Sequence, residues 1–348
     1  MVLKKRRLGK TGLQVTKIGF GGIPIQRVSE EEAIRVVKRC YELGINYYDT
    51  ARGYTTSEER IGKALDGVRD NIFIATKSHA RTAKELRENL ETSLRNLRTD
   101  YLDLYQLHNV TDDVWKTINA SGGAFEEILR IKEEGIARHI GVTSHSPTFL
   151  TRIVGEGSPF ETVMVGYNYI ALEPSKELLP TCKKMDVGTI IMKPFGGGAF
   201  TNANTALKFV LANENADCTI PGMQSVSEVD ENVAVCGGSL NLAKDELDSI
   251  EMDRAALGEE FCAACDYCQP CPVGIPISFV LRTEMSSLRR MGWTEGTVKQ
   301  TRETALKVTA CLDCGACETR CPYQLPIRKL LPEKMDALLK RLEERSIP

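Results

Sequence analysis

The sequence predicts an α/β chain: a (β/α)8 barrel entered through a β-hairpin and followed by a smaller, mostly helical, cysteine-rich domain. Three observations lead there. Eight short, β-branched runs alternate with amphipathic stretches between Lys17 and Gly238. The runs are nearly continuous in apolar residues, as strands covered on both faces of a parallel sheet must be. Eight of the 12 cysteines fall between Cys262 and Cys321, which sets the C-terminal region apart chemically.

Leu3 to Thr16, with Lys10-Thr11-Gly12 as its turn, reads as the hairpin and is expected to plug the N-terminal end of the barrel. The strands are expected at Lys17–Gly22, Ile45–Ala51, Ile72–Ser78, Leu102–His108, Ala137–Ser144, Thr162–Asn168, Thr189–Phe195 and Cys218–Met223. Helices lie between them. Ser29 followed by three glutamates opens one with a capping side chain and an acidic first turn, and Gly44 closes it. Another is expected over Ala83–Leu97, where Leu86, Leu90, Leu94 and Leu97 recur at helical spacing. An open doubly wound sheet is the alternative, but it usually has fewer repeats and carries a phosphate loop after its first strand. Ala243–Leu257 reads as a further helix and Pro332–Arg345 as the last one. The expected division is 1–258 for the barrel and 259–348 for the second domain.

The chain has 348 residues, 42% of them apolar, and a formal net charge of −2. Without a concentrated basic stripe, nucleic acid is not expected as a partner, because phosphate neutralisation needs clustered Lys and Arg. No membrane association is expected either: no run approaches the roughly 20 apolar residues of a span. Lys4 to Arg7 are not followed by the apolar segment of a signal peptide, so the expected location is cytoplasmic.

In such a barrel, chemistry sits at the C-terminal ends of the strands. The second strand ends at Asp49 with Tyr54 in the loop after it, the third carries Lys77 near its end, and the fourth ends at His108. A phenol beside a buried ammonium makes a proton donor, the ammonium favouring the ionised phenol. Asp49 would keep Lys77 charged, and His108 would orient the oxygen being protonated. The set suits reduction of a carbonyl by hydride, with Tyr54 supplying the proton.

These four residues, in order, spacing and strand context, resemble the tetrad of the aldo-keto reductase family, a TIM-barrel family, and the likeness runs from about Leu3 to Asn232. The resemblance implies a nicotinamide cofactor, NADP(H) or NAD(H). Thr143 and Ser144 stand where the family holds the carboxamide, Asn168 matches the end of the sixth strand, and Met192 replaces the aromatic that stacks on the ring. Lys193 and Pro194, followed by Gly196 and Gly197, would form a pyrophosphate loop, where glycines let backbone amides approach an anion. Gly222, Gln224, Glu228 and Asn232 occupy the adenosine end, with Glu228 where many members carry an Arg for the 2′-phosphate. Ile23, His79 and Asn109 would form the substrate pocket, a polar mouth suited to a small polar carbonyl compound.

The second cysteine array, Cys311, Cys314, Cys317 and Cys321-Pro322, has the C-x2-C-x2-C-x3-C-P spacing of bacterial ferredoxins, and Cys262, Cys265, Cys268 and Cys271-Pro272 repeat it one residue short. Because the fourth cysteine of such a motif ligates the other cluster, the expected sets are Cys262, Cys265, Cys268 and Cys321 for one [4Fe-4S] cluster, and Cys311, Cys314, Cys317 and Cys271 for a second. At least one cluster follows from the unshortened motif. Zinc is the competing reading, weakened by the lack of an accompanying His; disulfides fit a cytosolic chain poorly.

The expected activity is therefore NAD(P)H-dependent carbonyl reduction in an iron-sulfur protein. Two rivals stand beside it: an electron-transfer protein linking the barrel to a ferredoxin or another redox protein, and a non-catalytic redox-sensing module.

Overall fold

A computed structural model describes residues 2–200, 202–258, 260–262, 268–282, 294–321 and 323–344. The chain divides into two compact units. The first comprises Met1–Pro194 with Asn202–Leu247, and the second comprises Phe195–Thr201 with Asp248–Pro348.

In the first unit β1 (Lys5–Arg7) and β2 (Gln14–Thr16) form the antiparallel hairpin, with Arg6 opposite Val15. Eight parallel strands follow: β3 (Phe20–Gly21), β4 (Tyr47–Asp49), β5 (Phe73–Ser78), β6 (Leu102–Leu107), β7 (Ala137–Thr143), β8 (Thr162–Gly166), β9 (Gly188–Met192) and β10 (Cys218–Thr219). They pair in sequence order from β3 to β10. The two edges meet: Ile18 bridges Thr219 and Gly21 bridges Gly222, and the Gly19 N–H donates to the Thr219 carbonyl at 2.8 Å. Glycine is needed at this seam, since a Cβ on Gly21 would lie 2.8 Å from the Ile220 carbonyl oxygen. All eight expected strands form, each shorter than its expected run, and β9 begins one residue ahead of it, at Gly188.

The helices follow their local signals. Ser29 caps Glu30–Glu42 by accepting the Glu32 N–H, and Thr82 and Glu85 form a reciprocal capping box on Ala83–Leu97. Leu86, Leu90 and Leu97 are buried on the face turned to the barrel. At the N-terminal end of the barrel, Leu8 and Val15 of the hairpin pack with Tyr47, Ala75, Leu104 and Ile190 into one core cluster. The hairpin is thus part of the barrel core rather than an appendage to it.

The second unit has its own core, in which Ile275, Ile277, Val280 and Leu281 pack with Leu330, Leu331, Met335 and Leu338. Its last helix runs over Ile327–Glu344 and begins before the expected Pro332, which lies inside it. Proline removes one N–H from the ladder. Burial of Ile327, Leu330 and Leu331 ahead of it and of Met335, Leu338 and Leu342 after it carries the helix through. Arg345, its expected end, lies outside the described residues. Among the described residues no helix is long and apolar enough to cross a membrane.

Candidate active site and cysteine centre

β4 ends at Asp49, and the chain beyond it stays zipped to β5: the Thr50 N–H donates to the Ala75 carbonyl and the Arg52 N–H to the Lys77 carbonyl, both at 2.9 Å. A tight turn follows, in which the Tyr54 N–H donates to Ala51 and the Ser57 N–H to Tyr54. Two sequential constraints therefore fix Tyr54 on the rim above β5. Lys77 lies in β5 and is 1% exposed; its ammonium forms an ion pair with Asp49, donates to the Thr50 carbonyl at 2.7 Å and lies 5.1 Å from the centre of the Tyr54 ring. His108 follows β6, with its ring edge-on to Tyr54 at 5.9 Å between centroids. The structure thus gathers Asp49, Tyr54, Lys77 and His108 at one place.

The electrostatics follow from burial. Burial opposes charge on Lys77, but the raising interactions, the Asp49 carboxylate first among them, outweigh it, and the ammonium is held above its ordinary pKa. The phenol differs from the sequence expectation. Burial raises the Tyr54 pKa, and the lowering pull of Lys77 only partly offsets it, so Tyr54 remains a protonated donor above its usual range. Burial first, then the charge of Lys77, pushes His108 well below an ordinary imidazole and leaves it neutral. His145 is pushed down likewise, by burial and then Lys193.

A pH effect follows. The unfolded chain takes up protons at these two histidines near their reference pKa of about 6.5, and the folded chain does not. The unfolded state binds more protons, so stability rises with pH through this range and is lost as pH falls below about 6.5. Urea midpoints measured from about pH 8 down to about pH 5.5, above the range of ordinary carboxylates, should fall; a constant midpoint would contradict neutral burial of both rings.

Gln106 was not singled out from the sequence. Its amide donates to the free Asp49 oxygen at 3.3 Å and completes that carboxylate's contacts. The signal was available: Gln106 lies in β6 two residues before His108, and it pairs with Lys77 in register. His79 stacks on His108 at 3.8 Å between centroids, and Asn109, which adopts a left-handed backbone, donates its N–H to Thr143 Oγ1 at 2.8 Å. Ile23 is exposed in the loop after β3. Three buried polar atoms at the end of β6, Gln106 Oε1, His108 Nδ1 and Asn109 Oδ1, find no hydrogen-bond partner among the described residues. Buried polar atoms left unpaired are costly unless a ligand meets them.

The residues read as cofactor contacts mostly hold the loops on which they sit. Ser144 Oγ accepts the Ser146 N–H at 3.0 Å; Asn168 Oδ1 accepts the Ile170 and Ala171 N–H groups, and its amide donates to the Lys193 carbonyl. Met192 ends β9, with Lys193 and Pro194 next in the chain; Lys193 adopts a left-handed backbone, and Asn232 is buried. Glu228 accepts the Gln224 N–H at 2.7 Å, while Ser225, the cap of the following helix, accepts the Glu228 N–H. Gly222 belongs to the barrel seam, and Gly196 and Gly197 lie in the segment grouped with the second unit.

In that unit Cys271, Cys311, Cys314 and Cys317 line one cavity with Cys268, Pro270 and Leu331. The loop between Cys311 and Cys317 turns through left-handed residues at Asp313 and Gly315. Cys262 and Cys268 are buried, and Cys321 packs against the same core; Cys265 lies outside the described residues. Among the described residues, no three His, Cys, Asp or Glu side chains gather tightly enough for a single metal ion. Thiolates are the ligands of iron-sulfur clusters, in which each binds a different iron.

An eight-stranded parallel barrel with a buried ammonium-carboxylate pair and a phenol at its C-terminal rim has the build of a (β/α)8 enzyme, whose chemistry sits at that rim. The chain belongs to the aldo/keto reductase family, whose model matches residues 17–206, more than half of its length, and it is an oxidoreductase. A second model, the 4Fe-4S dicluster domain, matches residues 261–326. An L-galactose dehydrogenase from Arabidopsis thaliana is 28% identical over 306 residues, 74% of this chain and 93% of that one. The solved aldo-keto reductase AKR11C1 from Bacillus halodurans, in its holo form, shares 28% identity and a TM-score of 0.62 over 72% of this chain and 96% of its own. An aldo/keto reductase from Klebsiella pneumoniae, at 24% identity and a TM-score of 0.61 over 72% of this chain and 95% of its own, shows the same fold.

Proposed function

We propose that this chain reduces the carbonyl group of a small polar compound, with Tyr54 as the proton donor and a bound nicotinamide cofactor supplying the hydride. The buried Lys77–Asp49 ion pair beside the Tyr54 ring carries the reading. Tyr54 delivers its proton to the substrate oxygen, and Lys77, kept charged by Asp49, stabilises the phenolate left behind. Neutral His108 orients that oxygen through a ring nitrogen. Thr143, Ser144, Asn168 and Met192 would border the nicotinamide; Lys193, Pro194, Gly196 and Gly197 would face the pyrophosphate. Gly222, Gln224, Glu228 and Asn232 would hold the adenosine end. The orphaned atoms of Gln106, His108 and Asn109 support a polar ligand there, and the plant relative that bears the name L-galactose dehydrogenase points to polyhydroxy compounds. Glu228, an acid at the adenosine end, would repel a 2′-phosphate, so NADH and NADPH belong side by side in the assay. Oxidation of either by protein given short polar aldehydes tests the reading; no turnover with either nucleotide, and no reverse reaction on sugar alcohols or aldoses, would overturn it.

The proposed domain division remains a barrel to about residue 258 and a cluster domain from 259, with cluster sets Cys262, Cys265, Cys268, Cys321 and Cys311, Cys314, Cys317, Cys271. One observation favours a second role, electron exchange with a ferredoxin or another redox protein. Cys311 and Cys314 are exposed and Leu312 between them is 65% exposed, so a cluster there would lie at the surface. A nicotinamide gives up two electrons together and a cluster carries one, so bleaching of the cluster absorbance on adding NADH or NADPH anaerobically would support the relay. Unchanged absorbance, with or without a ferredoxin, would count against it.

A further inference from the structure

Arg282 ends the helix Ile277–Arg282 and is 2% exposed. A guanidinium so buried is tolerated only when its N–H groups find acceptors. Nη1 donates to the Gly196 carbonyl at 2.8 Å and to the Cys262 carbonyl at 2.6 Å, and Nη2 donates to the Gly197 carbonyl at 2.9 Å. One fork thus joins the glycine loop to the backbone of the first cysteine, all within the second unit. A parallel link runs through aromatic rings: Phe200 stacks on Phe261 at 6.3 Å, and the guanidinium lies over Phe261 at 5.1 Å.

The loop is shaped for this fork. Gly196, Gly197 and Gly198 have φ of 54°, 69° and 87°, and a Cβ on Gly197 would come within 3.3 Å of Nη2. Since a trans peptide directs its C=O and N–H oppositely, turning the Gly196 carbonyl towards Arg282 turns the Gly197 N–H away from it. Amide direction is what a bound anion reads. At the other end, ligation of iron by the Cys262 thiol would fix the backbone whose carbonyl Arg282 uses.

We propose that Arg282 is a positioning residue that couples nicotinamide-dinucleotide affinity to occupancy of the iron-sulfur cluster held by Cys262, through its shared bonds to the Gly196, Gly197 and Cys262 carbonyls. This rests on reading 193–198 as a pyrophosphate loop. Coupling between two binding events is reciprocal. Nucleotide therefore protects the cluster, and the cluster strengthens nucleotide binding. Lysine is a point donor without the planar fork and does not replace arginine here.

Iron release from the loaded protein to a chelator is followed with and without saturating NADPH, and NADH in parallel, while nucleotide affinity is read by calorimetry. In the unaltered protein nucleotide should slow release, and loss of iron should weaken nucleotide binding about 5- to 150-fold. Arg282→Lys and Arg282→Met should bind nucleotide more weakly when loaded, and nucleotide should no longer protect their iron. Gly197→Ala, which crowds the fork, should act in the same direction. Release unaffected by bound nucleotide in the unaltered protein would overturn the coupling without any variant, as would full protection in Arg282→Met. Failure of the loaded protein to bind either nucleotide would overturn the dinucleotide reading and this proposal together.

Discussion

Tyr54→Phe should lower kcat for carbonyl reduction by roughly 10²- to 10⁴-fold, about 3–5 kcal/mol of barrier, and leave nucleotide affinity unchanged. The substitution removes one hydroxyl from a ring whose neighbours stay in place. Tyr54 is held by backbone bonds of the turn after β4, not by its phenol, so the loss should be chemical rather than structural. Because burial raises the phenol pKa, reduction by the unaltered protein should show no alkaline decline until well above the reference value of about 10. A rate unchanged by the substitution would remove Tyr54 as donor; a decline starting near neutral pH would show that Lys77 outweighs burial at the phenol.

The second large effect concerns iron. A protein with both clusters should carry about eight irons per chain, and Cys271→Ala should lower this to about four. Which four are lost tests the crossing. Cys271 lines one cavity with Cys311, Cys314 and Cys317, so Cys271→Ala and Cys317→Ala should leave the same residual electron paramagnetic resonance signal on reduction. Cys321→Ala should leave the complementary one. Matching signals from Cys271→Ala and Cys262→Ala would instead mean that each motif closes its own cluster, and about four irons in the unaltered protein would mean that only one cluster forms.

Much of this was readable in the sequence because it is written locally. Strand-helix alternation, the Ser29 helix cap and the cysteine spacing are each set by residues a few positions apart. The tetrad was legible for a related reason: in a parallel barrel every strand end reaches the same rim, so polar residues closing successive apolar runs must meet there. The last helix was misplaced at its start because proline reads as a boundary, and buried leucines on both sides outweighed that local rule.

The sequence by itself therefore determined the barrel, the polar set gathered at its rim and the 4Fe-4S character of the second region. Only the tertiary structure decided which polar groups are already engaged and which find no partner among the described residues. Gln106 on Asp49 and Arg282 on the glycine loop are bonds of that kind, spanning 57 and 86 positions. The physical reason is that periodicity and spacing are properties of neighbours along the chain. A hydrogen bond between distant residues depends instead on where a closed barrel or a packed core brings their backbones, and on burial that makes each unpaired donor or acceptor costly.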